Sequence, residues 1–179
     1  DNSFNVVDWS GTATSYTSSG MTNGTIYYFA VSAKNRDGES AKSTSANGYP
    51  SKKPTVPTWI GLSHSDGSLD LSWNASTSNG DAVTYTIYQS LTDGGFTNAV
   101  WTGTSLAHSF TDLSNGVTYY YKIKATNRDG DLGLSATISG YPSKKPDVPA
   151  DLAIRGHGDG TIDLSWGVTA DNGDALTYY

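Results

Sequence analysis

Several kinds of residue are absent or scarce in this chain of 179 residues, and each shortage excludes a class of protein. There is no cysteine, which excludes disulfide bridges and thiolate metal sites. Only 16% of the residues are charged, and the net charge of −6 disfavours nucleic acid, because binding to phosphate depends on Lys and Arg. No apolar run approaches the ~18 residues of a membrane-spanning helix. We therefore expect no nucleic-acid partner and no membrane insertion.

Catalytic and metal-binding motifs are also missing from the sequence. The three histidines, His64, His108 and His157, lack partners at the spacing of a catalytic triad or a zinc site. The sequence contains no nucleophile elbow, phosphate-binding loop or zinc helix motif. We therefore predict that the chain is not an enzyme, with no catalytic residue, no metal site and no cofactor.

The chain does contain an internal repeat with a period of 92 residues. Residues 48–54 (GYPSKKP) return unchanged as residues 140–146, and residues 35–38 (NRDG) return as residues 127–130. This period is longer than that of solenoid repeats and matches the size of one small domain. The sequence therefore predicts an array of similar domains.

All six prolines lie in two short segments, which we predict to be linkers at residues 49–57 and 142–149. Such a density of proline favours a semi-rigid spacer over a flexible tether. Each linker also carries a lysine pair, which either contacts acidic loops of a neighbouring domain and sets the interdomain angle or is simply solvated. The linker residues we single out are Pro50, Lys52, Lys53, Pro54, Pro57, Pro142, Lys144, Lys145, Pro146 and Pro149.

Between the linkers, the sequence has the pattern of strands and tight turns. Residues 68–73, 83–88 and 119–125 alternate between apolar and polar side chains, as half-buried strands do. Asp-Gly and Asn-Gly pairs recur between these segments and suit turns that need a positive φ. No segment has helical periodicity, so we predict an all-β sandwich.

The order of these features resembles the fibronectin type III family, in a bacterial or archaeal extracellular form. The resemblance implies tandem immunoglobulin-like β-sandwiches, each with seven strands in two sheets. It places Trp73 on strand B and Tyr119 at the start of strand F, with the Tyr119 hydroxyl bonded to a nearby backbone carbonyl. The residues that carry the resemblance in the complete copy are Pro57, Leu71, Ser72, Trp73, Gly80, Tyr85, Ile87, Phe110, Thr111, Leu113, Asn115, Gly116, Tyr119, Tyr121, Ile123, Ala125, Asn127 and Gly130.

The resemblance divides the chain into three domain segments and two linkers. Residues 1–48 correspond to the C-terminal half of a domain (strands C′ to G), 58–141 to a complete domain, and 150–179 to the N-terminal half (strands A to C) of a further one. The linkers at 49–57 and 142–149 separate them. Either the chain is a window on a longer array, or the ends of neighbouring copies complete one another head to tail.

The aromatic and aliphatic residues of the complete copy divide into a predicted core and a predicted outer face. Tyr88, Trp101 and Tyr120 are placed on the outer face, where they would contact a partner or glycan, or else only stabilise the sheet by cross-strand pairing. The predicted core comprises Trp73, Tyr85, Ile87, Leu113, Tyr119, Tyr121, Ile123 and Trp166.

Taken together, these features predict a non-catalytic structural or interaction protein, located extracellularly or at the cell surface. It would be a semi-rigid domain array that forms a spacer, surface filament or sheath. Two alternatives remain: an accessory module of a secreted polysaccharide-degrading enzyme, and a carbohydrate-binding or adhesion module. The expected partners are like domains of the same array, neighbouring copies of the chain, and a glycan or cell-surface protein.

Overall fold

The computed structural model of the chain describes residues 6–179, and within that range it contains strands and no helix. The expected all-β fold is confirmed. These residues therefore include no helix that could cross a membrane. The strands are β1 (Tyr27–Phe29), β2 (Lys34–Asn35), β3 (Gly38–Glu39), β4 (Ala46–Gly48), β5 (Trp59–Ser65), β6 (Ser68–Trp73), β7 (Thr84–Ser90), β8 (Ala99–Gly103), β9 (Ala107–Phe110), β10 (Tyr119–Thr126), β11 (Ile138–Gly140), β12 (Ala153–Gly158) and β13 (Thr161–Ser165).

Strands β5 to β11 form one complete sandwich of two antiparallel sheets. One sheet has three strands in the order β5-β6-β9, and the other has four strands in the order β11-β10-β7-β8. All pairings within the two sheets are antiparallel. This arrangement leaves one inner face on each sheet to be buried and one outer face exposed to solvent.

The core lies between these two inner faces and follows the alternation of the sequence. On β6 every second residue is buried, ending at Trp73, and β10 has the same pattern. The Trp73 ring meets the rings of Tyr85 and Trp101 edge to face, at centroid distances of 5.7 and 5.6 Å. The buried core residues are Leu69, Leu71, Trp73, Tyr85, Ile87, Tyr121, Ile123 and Ala125, and the partly buried Leu113 and Tyr119 pack against them.

The predicted position of Trp101 on the outer face is wrong. Trp101 lies directly opposite Ile87 in the pairing of β7 with β8, and directly opposed residues share one face of a sheet. A register shift between Ile87 and Tyr88 puts Ala99 opposite Tyr88 and leaves Val100 as an extra residue. Trp101 therefore packs against the core, where its ring also stacks on His108 at 4.8 Å.

The hydrogen bond made by Tyr119 also differs from the expectation. The Tyr119 hydroxyl accepts a bond from the backbone N–H of Ser114 at 3.0 Å, instead of donating to a carbonyl. The equivalent Tyr27 hydroxyl accepts from the N–H of Thr22 at the same distance. In both repeats the tyrosine thus satisfies a turn amide that lacks a backbone acceptor.

The flanking segments contain fewer strands, and their apolar residues are more exposed. β1 pairs with β4, β2 with β3, and β12 with β13. Trp166, a predicted core residue, is 44% exposed although its ring lies 5.6 Å from that of Tyr178. In the complete sandwich, strand β8 carries Trp101, which covers Trp73. No equivalent of β8 lies within residues 150–179, and this explains the exposure of Trp166. The part of the 1–48 assignment that falls on residues 1–5 lies outside the described residues.

Candidate functional site at the junction between repeats

The first linker is bound along its length by two loops of the sandwich that follows it. The β6–β7 loop contributes residues 79–81, and the β10–β11 loop contributes residues 127–130. Both loops lie at the end of the sandwich where the chain enters β5, so they meet residues 49–54 directly. Polar contacts from both loops therefore join the sandwich to the linker before it.

Asn79 fixes the middle of the linker by bonding to its backbone. Its carboxamide donates to the carbonyl of Lys53 at 2.8 Å, and its own carbonyl accepts from the N–H of Lys52 at 3.4 Å. Asn79 has a φ of 51°, in the left-handed region that asparagine tolerates better than most residues. The Asn-Gly pair read from the sequence as a turn therefore also holds the linker.

Two glycines allow the preceding repeat to approach this loop. The N–H of Gly24 donates to the carbonyl of Pro50 at 2.9 Å, directly beside Gly80. A Cβ on Gly80 would lie 2.8 Å from the Gly24 nitrogen and 3.1 Å from the Pro50 oxygen, and Gly80 has a φ of 108°. Only glycine fits at this position, for both steric and conformational reasons.

Arg128 joins the second loop to the start of the linker. Its Nη2 donates to the carbonyl of Tyr49 at 2.9 Å, and its guanidinium lies 4.4 Å from the centre of the Tyr49 ring. Its Nε lies 3.0 Å from a carboxylate oxygen of Asp81 and donates to the hydroxyl of Ser51 at 3.0 Å. A planar, forked donor set makes arginine suited to this combination of stacking and hydrogen bonding.

The Asp81 carboxylate is the acceptor at the centre of the junction. Its side chain is 8% exposed, and the Tyr49 hydroxyl donates to it at 3.0 Å. Burial alone would raise the pKa of Asp81, but the hydroxyls of Ser51 and Tyr49 and the charge of Arg128 lower it below the usual value. The carboxylate is therefore ionised at neutral pH, where it binds the arginine.

The lysine pair of the first linker takes part mainly through its backbone. The carbonyl of Lys52 accepts from the Asn127 carboxamide at 2.8 Å, and the Lys53 carbonyl accepts from Asn79. The Lys53 side chain lies against Gly130, with Cε 3.4 Å from where a Cβ would stand. The pKa of Asp131 is lowered mainly by its hydrogen bond from Lys124, and the charge of Lys53 lowers it further. The Lys53 side chain thus lies beside an acidic loop.

The second junction repeats the first with nearly the same distances. The N–H of Gly116 donates to the carbonyl of Pro142 at 2.9 Å, and the Tyr141 hydroxyl donates to Asp174 at 3.0 Å. A Cβ on Gly173 would lie 2.7 Å from the Gly116 nitrogen. Identical linker sequences thus give equivalent contacts at two successive positions of the array.

The second linker uses its lysine backbones in the same way. The Asn172 carboxamide donates to the carbonyl of Lys145 at 3.1 Å, and the N–H of Lys144 donates to the Asn172 carbonyl at 3.2 Å. His64, at the end of β5, adds a bond between its Nδ1 and the Ser143 hydroxyl at 3.2 Å.

The linker prolines differ in burial. Pro54 and Pro57 are buried against the complete sandwich, and Pro142 is buried at the second junction. Pro50 is half-buried, whereas Pro146 and Pro149 are exposed. The buried prolines are packed residues of the junction and add to its stiffness beyond their fixed φ angles.

Sequence reasoning found the repeated segments of the junction but not the roles of their side chains. Tyr49, Asp81 and Arg128 were not predicted to be site residues. The signal was the unchanged return of residues 48–54 and 127–130, since surface segments are normally free to vary.

Tyr88 and Tyr120 lie on the outer face of the four-stranded sheet, both half-buried. Tyr88 is opposite Lys122 in the pairing of β7 with β10, and Tyr120 is opposite Ser90. The ammonium of Lys124 lies 5.9 Å from the Tyr88 ring centroid. The two tyrosines therefore belong to a mixed aromatic and basic surface, from which Trp101 is excluded.

The polar side chains of the junction hold the linker. Across residues 6–179, no group of three or more His, Asp or Glu side chains is placed to hold a metal ion. At the junction, the arginine, carboxylate, amides and hydroxyls bind one another and the linker backbone. Such an arrangement fixes the position of one repeat relative to the next.

The complete sandwich matches a known domain family. Residues 55–141 match the family model for the fibronectin type III domain. They form a fibronectin type III domain. The rat CD45 extracellular region, domains d3-d4, has a related fold, with a TM-score of 0.50 and 15% identity over 78% of this chain and 77% of that chain.

Two curated relatives are much longer than this chain. The chain is 28% identical to Exoglucanase B of Cellulomonas fimi over 180 residues, covering 90% of this chain and 16% of that protein. It is 38% identical to an Amylopullulanase of Thermoanaerobacterium thermosulfurigenes over 98 residues, covering 54% of this chain and 5% of that protein. The chain thus spans only a small part of the length of either relative.

Proposed function

We propose that the chain is a non-catalytic accessory spacer of a secreted polysaccharide-degrading enzyme. The observation that carries this proposal is the similarity to Exoglucanase B, which extends over 90% of this chain and therefore includes both linkers. The similarity to an Amylopullulanase supports it independently. The repeated junctions provide the mechanism, because they hold successive domains at one spacing and orientation.

The comparisons support this role better than the surface filament or sheath that the sequence alone favoured. An enzyme that acts on a polymer needs its modules separated by a defined distance, and a stiff array supplies it. Contacts from Asn79, Arg128 and Asp81 to the linker reduce the number of orientations that two neighbouring domains can adopt. Such preorganisation lowers the entropy lost when modules act together on one chain.

A carbohydrate-binding role is the second candidate, and it is favoured by Tyr88 and Tyr120 on the outer sheet face. Aromatic rings with neighbouring lysines offer apolar and polar contacts of the kind that sugars use. In the spacer proposal these tyrosines only stabilise the sheet.

A sedimentation assay distinguishes the two roles. The chain is mixed with insoluble cellulose or granular starch, the solid is removed by centrifugation, and the protein left in solution is measured. A spacer stays in solution with both polysaccharides. Retention that is lost in Tyr88→Ala and Tyr120→Ala, but kept in Ile60→Ala on the other sheet, would instead establish a binding module. Release of reducing sugar from soluble starch or β-glucan by the chain would contradict a non-catalytic role.

A further inference from the structure

Asn79 and Gly80 form an Asn-Gly pair at the point where the first linker is bound. Asparagine is thermolabile, and it loses its side-chain amide most readily when glycine follows, because glycine has no Cβ to shield the backbone nitrogen that attacks. The complete domain contains a second such pair, Asn115 and Gly116. The surroundings of the two asparagines therefore decide which of them reacts.

The reaction needs only the chain and water. The backbone nitrogen of Gly80 attacks Cγ of Asn79, so that a new C–N bond closes a succinimide ring and the Cγ–Nδ2 bond breaks. The leaving nitrogen departs as ammonia and takes the proton that the Gly80 nitrogen gives up. Water then opens the ring at either carbonyl, which leaves aspartate or isoaspartate at position 79.

The bound linker restricts this reaction at Asn79. The Asn79 Nδ2 donates to the carbonyl of Lys53 at 2.8 Å, and this bond limits the rotation that ring closure requires. The position of Gly80 is also constrained, because a Cβ there would lie 3.1 Å from the Pro50 oxygen. The reaction therefore proceeds when the linker leaves the loop, and its rate follows the population of that open state.

Arg128 controls how often the linker leaves. It binds the Tyr49 carbonyl at 2.9 Å and the Ser51 hydroxyl at 2.8 Å through Nη2, so it holds the first residues of the linker. Arg128 does not contact Asn79 through any of these bonds. Its removal should therefore change the exposure of Asn79 without changing the chemistry of the Asn-Gly pair.

Deamidation removes the contact that holds the middle of the linker. A carboxylate at position 79 has no hydrogen to donate to the Lys53 carbonyl, and its oxygens would face that carbonyl oxygen. It also adds a negative charge two positions before Asp81, whose ionised side chain is only 8% exposed. Water does not restore the amide, so the loss of the contact is permanent.

Asn115 is held in a different way and serves as an internal control. Its Nδ2 donates to the Asp66 carboxylate at 2.8 Å, and its Oδ1 accepts from the N–H of Gly67 at 2.9 Å. Both partners lie in the turn between β5 and β6 of the same domain. The protection of Asn115 therefore does not depend on the first linker.

We propose that Asn79 is a site of spontaneous deamidation that the bound linker protects, and that its conversion to aspartate or isoaspartate releases the linker. The first junction is thus stiff in the new protein and becomes flexible as the protein ages. The proposal concerns the chain itself and does not depend on the role in a polysaccharide-degrading enzyme, which is tested separately by sedimentation with polysaccharide.

Peptide mass mapping of the aged chain tests the protection. The whole wild-type chain and Arg128→Ala are incubated in mildly alkaline buffer, which favours the attacking form of the backbone nitrogen, and aspartate and isoaspartate are quantified at each position. Asn79 should convert about tenfold faster in Arg128→Ala, because hydrogen bonds from a charged group to the linker are lost. Asn115 should convert at the same slow rate in both proteins, which also shows that the domain remains folded.

Hydrogen exchange of the Lys52 amide tests the consequence, since this amide donates to the Asn79 carbonyl at 3.4 Å. Asn79→Asp reproduces one product of the reaction and should speed this exchange by about tenfold. Asn98→Asp makes the same charge change in the β7–β8 loop and should leave the exchange as in the wild type. Equal conversion of Asn79 in the wild type and Arg128→Ala would overturn the proposal, as would wild-type exchange of the Lys52 amide in Asn79→Asp.

Discussion

The guanidinium of Arg128 lies 4.4 Å from the centre of the Tyr49 ring, although the two residues are 79 positions apart in the chain. The stacking joins a loop of the complete domain to the first residue of the linker before it. Cation–π contacts of this kind contribute about 0.5–1 kcal/mol when exposed and more when desolvated. Together with the bond to Asp81, the contact makes the linker part of the domain's own surface.

Gly80→Ala should disrupt the first junction, because the new Cβ would lie 2.8 Å from the Gly24 nitrogen. Gly133→Ala is the matched control, since Gly133 has a φ of 110° against 108° for Gly80 but nothing within 4 Å of its Cβ position. We expect Gly80→Ala to speed hydrogen exchange of the Gly24 amide by at least about tenfold, which corresponds to about 1.4 kcal/mol. Equal exchange rates in the two variants would contradict close packing at this site.

His108 should make the complete domain less stable in mild acid. Burial between the Trp101 and Phe110 rings lowers the pKa of His108 below 6.5. The unfolded chain then binds a proton at His108 more readily than the folded domain does. The stability that neutral His108 contributes is therefore fully present above pH 6.5 and is lost as the pH falls through the lowered pKa of the folded domain.

His108→Tyr removes this dependence, and the first repeat shows that a tyrosine fits. There the equivalent Tyr16 stacks on Trp9 at 5.4 Å. Urea unfolding should show a stability loss as the pH falls below 6.5 in the wild type that is smaller in His108→Tyr. Parallel pH profiles for the two proteins would show that His108 is not the group responsible.

Trp73→Ala should reduce the stability of the complete domain by about 3–5 kcal/mol, because Trp73 is fully buried between the sheets. That loss is a large share of the ~5–15 kcal/mol typical of a whole domain. Trp166→Ala removes the equivalent ring where it is 44% exposed, and should cost much less. The two are compared by urea denaturation, and a loss below about 1 kcal/mol for Trp73→Ala would refute its core position.

The strands and the core of the complete domain were predictable because alternation with period 2 reports directly which side chains face inward. Trp73, Tyr121 and Ile123 belong to such alternating rows, and they are buried. The face of Trp101 was not predictable, since a register shift in the pairing of β7 with β8 changes the alternation without a clear sequence signal.

The junction could be located from the sequence, but its contacts could not. The unchanged segments at 48–54 and 140–146 marked its position. Its chemistry depends on loops far away in the chain, and only the fold brings Asp81 and Arg128 to Tyr49. Pairwise contacts across such distances leave no periodic pattern in one sequence.

The most direct test of a linker held by its following domain is limited digestion with trypsin. Because trypsin does not cleave before proline, each linker offers one lysine bond, Lys52–Lys53 or Lys144–Lys145. Residues 127–130 of the β10–β11 loop cover the first bond, where Asn127 binds the Lys52 carbonyl, and no equivalent loop within residues 6–179 covers the second. We predict slower cleavage at Lys52–Lys53 than at Lys144–Lys145 in the wild type, and similar rates in Arg128→Ala. Equal rates at both bonds in the wild type, unchanged by Arg128→Ala, would contradict the account.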